Sequence, residues 1–128
     1  MENSVTKQIV DAAFLIHKAL GPGLLESVYE VALFHELAKR GLAVARQVPV
    51  TFIYDGHVYD EGFRLDLLVD DCVIVELKSV ELVHPVHKKQ LLTYLRLSQK
   101  RLGLLINFNT ALLKDGVVRV VNGLPDVQ

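Results

Sequence analysis

Two charged residues stand in a run of the chain that otherwise has no place for charge. Residues 72–78 read Cys-Val-Ile-Val-Glu-Leu-Lys, a β-branched stretch that predicts a central, buried strand. Strand alternation puts Glu76 and Lys78 on one face and Leu77 on the other. Burying such charges is expensive unless they are paired or bind a metal. The segment therefore reads either as a strand-end Glu–Lys ion pair or as part of a reactive site. Asp66, inside the apolar run Arg64-Leu-Asp-Leu-Leu-Val69, repeats the anomaly. A short turn at Asp70-Asp71 would pair the two runs as a hairpin and bring Asp66 alongside Glu76. Two convergent carboxylates form a hard oxygen site suited to Mg²⁺ (or Mn²⁺), with water filling the remaining positions. A lysine beside them can orient or activate the attacking water and neutralise developing charge, the layout of a metal-dependent phosphodiester hydrolase. Downstream, Gln90 and Tyr94 have the i, i+4 spacing that puts both on one helical face. They read either as a surface Gln and a half-buried Tyr, or as an amide and a phenol aimed at Lys78 or a nucleic-acid backbone.

The elements that must position these residues follow from periodicity. Val5, Ile9, Ala12, Ala13, Ile16, Ala19 and Leu20 have helical spacing over 5–20, with Ser4 as the expected N-cap and Gly21-Pro22-Gly23 as the stop. A second helix is expected over 24–40, with Leu25, Val28, Tyr29, Ala32, Leu33, Leu37 and Ala38 as its apolar stripe and Gly41 at its end. Val44 to Tyr54 alternates loosely and runs into Asp55-Gly56, a strong hairpin signal, and 57–69 reads as the return strand or strands. After the strand at 72–78, Pro85 opens a helix to about Lys100, whose apolar residues are Val86, Leu91, Leu92, Leu95 and Leu97. Strands at 103–108 and 117–121 close the chain, with a turn at Lys114-Asp115-Gly116 between them. The order α-α-β-β-β-α-β-β predicts an α/β (α+β) protein with a central mixed sheet flanked by helices.

The chain's 128 residues are read as a single domain over 1–128. With 51% hydrophobic and 23% charged residues it can bury a core without disulfides or a structural metal. A formal net charge of -1 argues against a strongly basic DNA-coating protein, though not against a local basic groove. One cysteine, Cys72, allows neither an intramolecular disulfide nor a multi-cysteine zinc site. Met1 to Lys7 is polar and no apolar run reaches the roughly 18 to 20 residues of a membrane span, so the expectation is a soluble cytoplasmic protein without membrane contact. Mean hydropathy of +0.31 suggests strands buried on both sides and a homodimer interface.

The acid at 66, the following Glu-x-Lys and the downstream Gln-x-x-x-Tyr together resemble the PD-(D/E)xK nucleases, in particular the RecB-like branch. The segments Gly21-Pro-Gly-Leu-Leu-Glu26-Ser-Val-Tyr29-Glu, Asp66-Leu-Leu-Val, Val75-Glu-Leu-Lys-Ser-Val80, Gln90-Leu-Leu-Thr-Tyr-Leu95 and Gly103-Leu-Leu-Ile-Asn-Phe108 resemble the small GxxExxR protein family within that superfamily, over residues 5–124. The resemblance implies a restriction-endonuclease-like core acting on nucleic acid, DNA more than RNA. It implies that Asp66 and Glu76 hold Mg²⁺, with the Leu77 carbonyl as a further ligand and Glu26 as an outer or additional one. Lys78 would sit beside the nucleophilic water, and Gln90 and Tyr94 would position Lys78 or the substrate. Two positions depart from the pattern: Tyr29 stands where the family motif has Arg, and Leu65 where the superfamily often has Pro.

Other polar residues have looser readings. His84-x-x-His87 has metal-like spacing without a third His or Cys nearby, and reads as solvated residues at a helix start or as groove lining. Lys89, Arg96 and Lys100 would share a helical face, either solvated or offering phosphate contacts. Arg64, two residues before Asp66, would share its face and pair with an acid or meet a phosphate. Glu61 is a further candidate near the metal. A non-catalytic nuclease-fold interaction module and a hydrolase of another phosphate ester are the alternatives.

Overall fold

The computed structural model describes residues 1–60 and 62–123, so the reading of Glu61 falls outside the described residues. Helix α1 (Glu2–Leu20) buries Val5, Ile9, Ala12, Ala13 and Ile16, a stripe at helical spacing, and ends where Gly21 takes φ 76. It starts earlier than the Ser4 cap predicts. Ser4 lies within the first turn, where its hydroxyl donates back to the Met1 carbonyl at 2.9 Å instead of capping. Helix α2 (Glu26–Lys39) buries Tyr29, Leu33 and Leu37. Leu25 stands at its N-cap and is exposed, as is Val28, so the apolar stripe is narrower than expected.

The strands are β1 (Val44–Pro49), β2 (Phe52–Tyr54), β3 (His57–Tyr59), β4 (Arg64–Val69) and β5 (Val73–Lys78). They are followed by α3 (Pro85–Ser98), β6 (Leu102–Asn107), a 3-10 turn over Leu113–Gly116, and β7 (Val117–Val121). Five strands form one sheet in the order β1-β4-β5-β6-β7, in which β5 and β6 run parallel and the other neighbours antiparallel. The long strand expected over 44–54 is in fact two. Gln47 takes φ 52, Pro49 has no N–H to give, and the Val50 N–H turns to the Phe63 carbonyl at 3.1 Å. The chain thus leaves the main sheet and folds β2 against β3 as a separate hairpin, tied by Asp55 (φ 53) and Gly56 (φ 76), the left-handed pair of a two-residue turn. Asp70 and Asp71, at φ 50 and 53, make the same kind of turn between β4 and β5.

Each face of the sheet has its own core. On one, α1 and α2 cover Leu67, Val69, Val73, Val75, Leu77 and Leu104. On the other, α3 lays Leu91, Tyr94 and Leu95 over Leu65, Ile74 and Leu105. The parallel β5–β6 pair requires a crossover connection, and α3 supplies it. That helix stops at Ser98, with Gln99 in the left-handed region, so Lys100 lies off the helix and pairs with Asp71 at 3.1 Å. Val86 and Leu97 face solvent rather than the core. Among the described residues no helix is long and apolar enough to cross a membrane.

Candidate active site

The reactive residues gather where β4 and β5 stop pairing. The regular ladder ends at Leu67 opposite Val75. Beyond that rung the backbone pairing is replaced by two side chains. The Asp66 N–H donates to Glu76 Oε2 at 2.8 Å, and the Leu77 N–H donates to Asp66 Oδ2 at 2.8 Å. Each carboxylate is held through one oxygen. Asp66 Oδ1 and Glu76 Oε1 take no hydrogen bond among the described residues. Strand alternation fails at this point: Leu65 packs on the α3 side and Leu67 on the α1–α2 side. Opposite the break, Gln47 drops out of the β1–β4 register between Arg46 and Val48. The face shared by Arg64 and Asp66 in a regular strand is therefore not secured, and Arg64 is exposed with no ion pair to Asp66 or Glu76.

Electrostatics mark the pair as strained when no cation is near. Burial, then the charge of Asp66, pushes Glu76 up to about 8. Burial also raises Asp66, against the pull of the Leu77 N–H. Lys78 lowers both acids but makes no contact ion pair with either, so the strand-end Glu–Lys bridge is not formed. Tyr94 is buried in the α3 core, and burial, then the charges of Glu76 and Asp66, raises its hydroxyl. Gln90 is exposed and hydrogen-bonds neither Lys78 nor the acids. Lys89 and Arg96 are exposed two turns apart on α3.

Helix α2 brings acids from the other side. Glu26 Oε2 accepts the Ser79 N–H at 3.2 Å, just past the end of β5. Glu30 escaped the sequence reading. It is buried, receives Arg46 Nη2 at 3.0 Å and Gln47 Nε2 at 2.7 Å, and its charge raises both Asp66 and Glu76. The signal was there: Glu30 lies one helical turn after Glu26 and so on the same face. Among the described residues no three His, Cys, Asp or Glu side chains converge as a ligand set. The donor set is thus two carboxylates with free oxygens. Strand geometry sends the Leu77 carbonyl to the same β4 edge as its N–H, where it would add a third oxygen. Such an all-oxygen set, completed by water, fits a hard divalent cation. His87 serves a different purpose: its Nδ1 accepts the His84 N–H at 3.1 Å at the start of α3. Burial, then Lys78, lowers its pKa, consistent with a neutral ring.

The family model described as PD-(D/E)XK nuclease superfamily matches residues 3–120. The chain belongs to that superfamily. No curated protein and no solved structure matches the chain. In this PD-(D/E)XK chain the acidic residue, the Glu-x-Lys and the sheet that carries them occupy one contiguous corner of the fold.

Tyr29 has a structural role of its own in this nuclease-superfamily chain. The Tyr29 ring stacks on Phe108 at 4.3 Å, and its hydroxyl donates to the Gly21 carbonyl while accepting the Leu24 N–H at 3.1 Å. It braces the loop that delivers Glu26. Tyr29→Phe removes both bonds from a fully buried group and is expected to cost about 1–2 kcal/mol, read as a lower melting temperature. An unchanged melting curve would refute the brace.

Proposed function

We propose that the chain hydrolyses phosphodiester bonds of nucleic acid, DNA in preference to RNA, with Mg²⁺ or Mn²⁺, and that it is a GxxExxR-type, RecB-like member of its superfamily. The observation that carries this reading is the reciprocal pair of hydrogen bonds that holds Asp66 and Glu76 side by side, with Lys78 two residues further along β5. Asp66, Glu76 and the Leu77 carbonyl would hold the cation. Glu26, tied to the Ser79 N–H, would act from outside that shell. A bound divalent cation supplies Lewis acidity and lowers the pKa of water at the site. Lys78, in no contact ion pair among the described residues, orients the attacking water and offsets negative charge gathering on the phosphate. Tyr94 and Gln90 position Lys78 or the substrate, and Arg64, Lys89 and Arg96 meet phosphates of the strand.

Cleavage of labelled DNA and RNA with Mg²⁺, Mn²⁺ or EDTA, with Lys78→Ala alongside, tests the reading. Metal-dependent cutting that the variant lacks supports it. The alternative is a nuclease-fold interaction module, favoured by the net charge of -1. Absence of cation binding by calorimetry, with wild type and Asp66→Ala alike, would select it. A homodimer is part of the proposal. It is supported by the mean hydropathy and by Leu15, Leu20, Val28 and Val31, which are exposed and line one groove between α1 and α2. A monomer at micromolar concentration by sedimentation would remove it.

A further inference from the structure

One residue with left-handed backbone lies inside a strand. Among the described residues, Asp55, Asp70, Asp71, Gln99 and Gln47 are the non-glycines with positive φ. The three aspartates make turns and Gln99 ends α3, places where the left-handed region is ordinary. Gln47, at φ 52, stands within β1. Such a conformation persists only where its surroundings hold it. Here the hold is Glu30 on α2, whose Oε1 accepts the Gln47 side-chain Nε2 at 2.7 Å. Its other oxygen receives Arg46 twice, Nε at 3.1 Å and Nη2 at 3.0 Å. The Arg46 guanidinium also lies over the Phe34 ring, 5.7 Å from its centre. The Arg46 contacts suffice to dock β1 on α2 and to pair a buried carboxylate. They do not account for Gln47, which is exposed and gives up ordinary strand backbone to reach Glu30.

The place of Gln47 in the sheet gives the hold a purpose. Arg46 pairs with Leu67 and Val48 with Leu65, so Gln47 stands opposite Asp66. Side chains of directly opposed residues come within reach of each other. In regular strand backbone the Gln47 amide would find the Asp66 carboxylate as its nearest acceptor. Asp66 Oδ2 is taken by the Leu77 N–H, and Oδ1 takes no hydrogen bond among the described residues. An amide N–H on Oδ1 would compete with a hard cation for the same lone pairs. Glu30 takes the amide instead.

We propose that Glu30 is a positioning residue: it draws the Gln47 amide toward α2, keeps the place opposite Asp66 clear, and so leaves Asp66 Oδ1 open to a divalent cation. The cation rests on the nuclease reading, while the placement of the amide is measured without one. Glu30→Gln is the variant that tests it. Its remaining oxygen can still serve Arg46, but its new NH₂ group confronts the Gln47 amide, donor against donor, and releases the Gln47 N–H groups. In EDTA, nuclear Overhauser contacts from the Gln47 side-chain amide are expected to Glu30 in the wild type and to Asp66 in the variant. Calorimetric titration with Mg²⁺ is expected to show binding weakened about tenfold, since one charge-assisted hydrogen bond must break before the cation enters. Adding Gln47→Gly removes the amide and suits the left-handed backbone, and is expected to recover most of that loss. A role in charge or fold alone would not be relieved by a second deletion. Unchanged Mg²⁺ affinity in Glu30→Gln, or a loss that Gln47→Gly does not relieve, would therefore overturn the proposal. So would an Overhauser contact from the Gln47 amide to Asp66 already in the wild type, whether or not the variant folds. A wild type that binds no Mg²⁺, with an amide that still moves to Asp66 in Glu30→Gln, would sustain the positioning and remove the nuclease reading. Lys78-dependent cleavage, with Glu30→Gln binding Mg²⁺ as the wild type does, would do the reverse.

Discussion

Lys78→Ala is expected to lower metal-dependent cleavage by about a thousandfold or more while the fold survives. Preorganised charge and proton transfer at a reacting phosphate each contribute roughly 10²–10⁴ in rate. Lys78 is half-exposed and makes no contact ion pair among the described residues, so its loss strands no bonded partner there. Asp66→Asn separates cation binding from stability. The amide oxygen can still accept the Leu77 N–H, but the negative charge that raises Glu76 is gone. The variant is expected to lose cation binding and cleavage and to melt at or above the wild-type temperature near pH 8. Calorimetric titration with Mg²⁺ and a thermal melt read the two effects independently. Lys78→Ala cleaving at the wild-type rate, or Asp66→Asn binding cation as the wild type does, would refute the assigned roles.

The second large effect is the pH dependence of the metal-free protein. Glu76 is an acid whose folded pKa, about 8, lies above its ordinary value of 4.5. Between those limits the folded chain holds more protons than the unfolded one, so stability falls as pH rises. The contribution is present below about 4.5 and is lost as the pH passes through 8. At about 1.4 kcal/mol per unit, the whole span is on the order of 5 kcal/mol. Urea or thermal unfolding in EDTA should show the slope, and Glu76→Gln should flatten it. A divalent cation held by the ionised acid would reverse the sign. Its stabilisation should grow from pH 6 to pH 8, and at neutral pH its binding should release close to one proton. Calorimetry in buffers of different ionisation enthalpy counts that proton. A flat stability profile in EDTA, identical for Glu76→Gln, would mean that Glu76 titrates normally.

The acids and the lysine were legible in the sequence because charge inside β-branched runs violates the pattern of a buried strand. Their mutual approach was legible too, because the Asp70-Asp71 turn fixes the hairpin register. What stayed hidden depends on tertiary docking. Glu30, Arg46 and Gln47 form one hydrogen-bonded group from α2 and β1, and only the seating of α2 beside that strand joins them. The break of the 44–54 strand turns on the backbone of Gln47 and on Val50 finding Phe63, neither of which periodicity encodes. The exposure of Val86 and Leu97 follows from which side of α3 meets the sheet; Leu91, Tyr94 and Leu95 take that side.

The rung at which side chains take over from backbone pairing also has a spectroscopic consequence. The amide protons of Asp66 and Leu77 end on the two carboxylates. Each is thus a built-in probe of the neighbouring acid. A proton arriving on Glu76 or leaving it should move the Asp66 amide resonance, and a cation should move both together. Two backbone signals, followed through a pH or Mg²⁺ titration, would read the state of the site residue by residue, without substrate and without altering a single side chain.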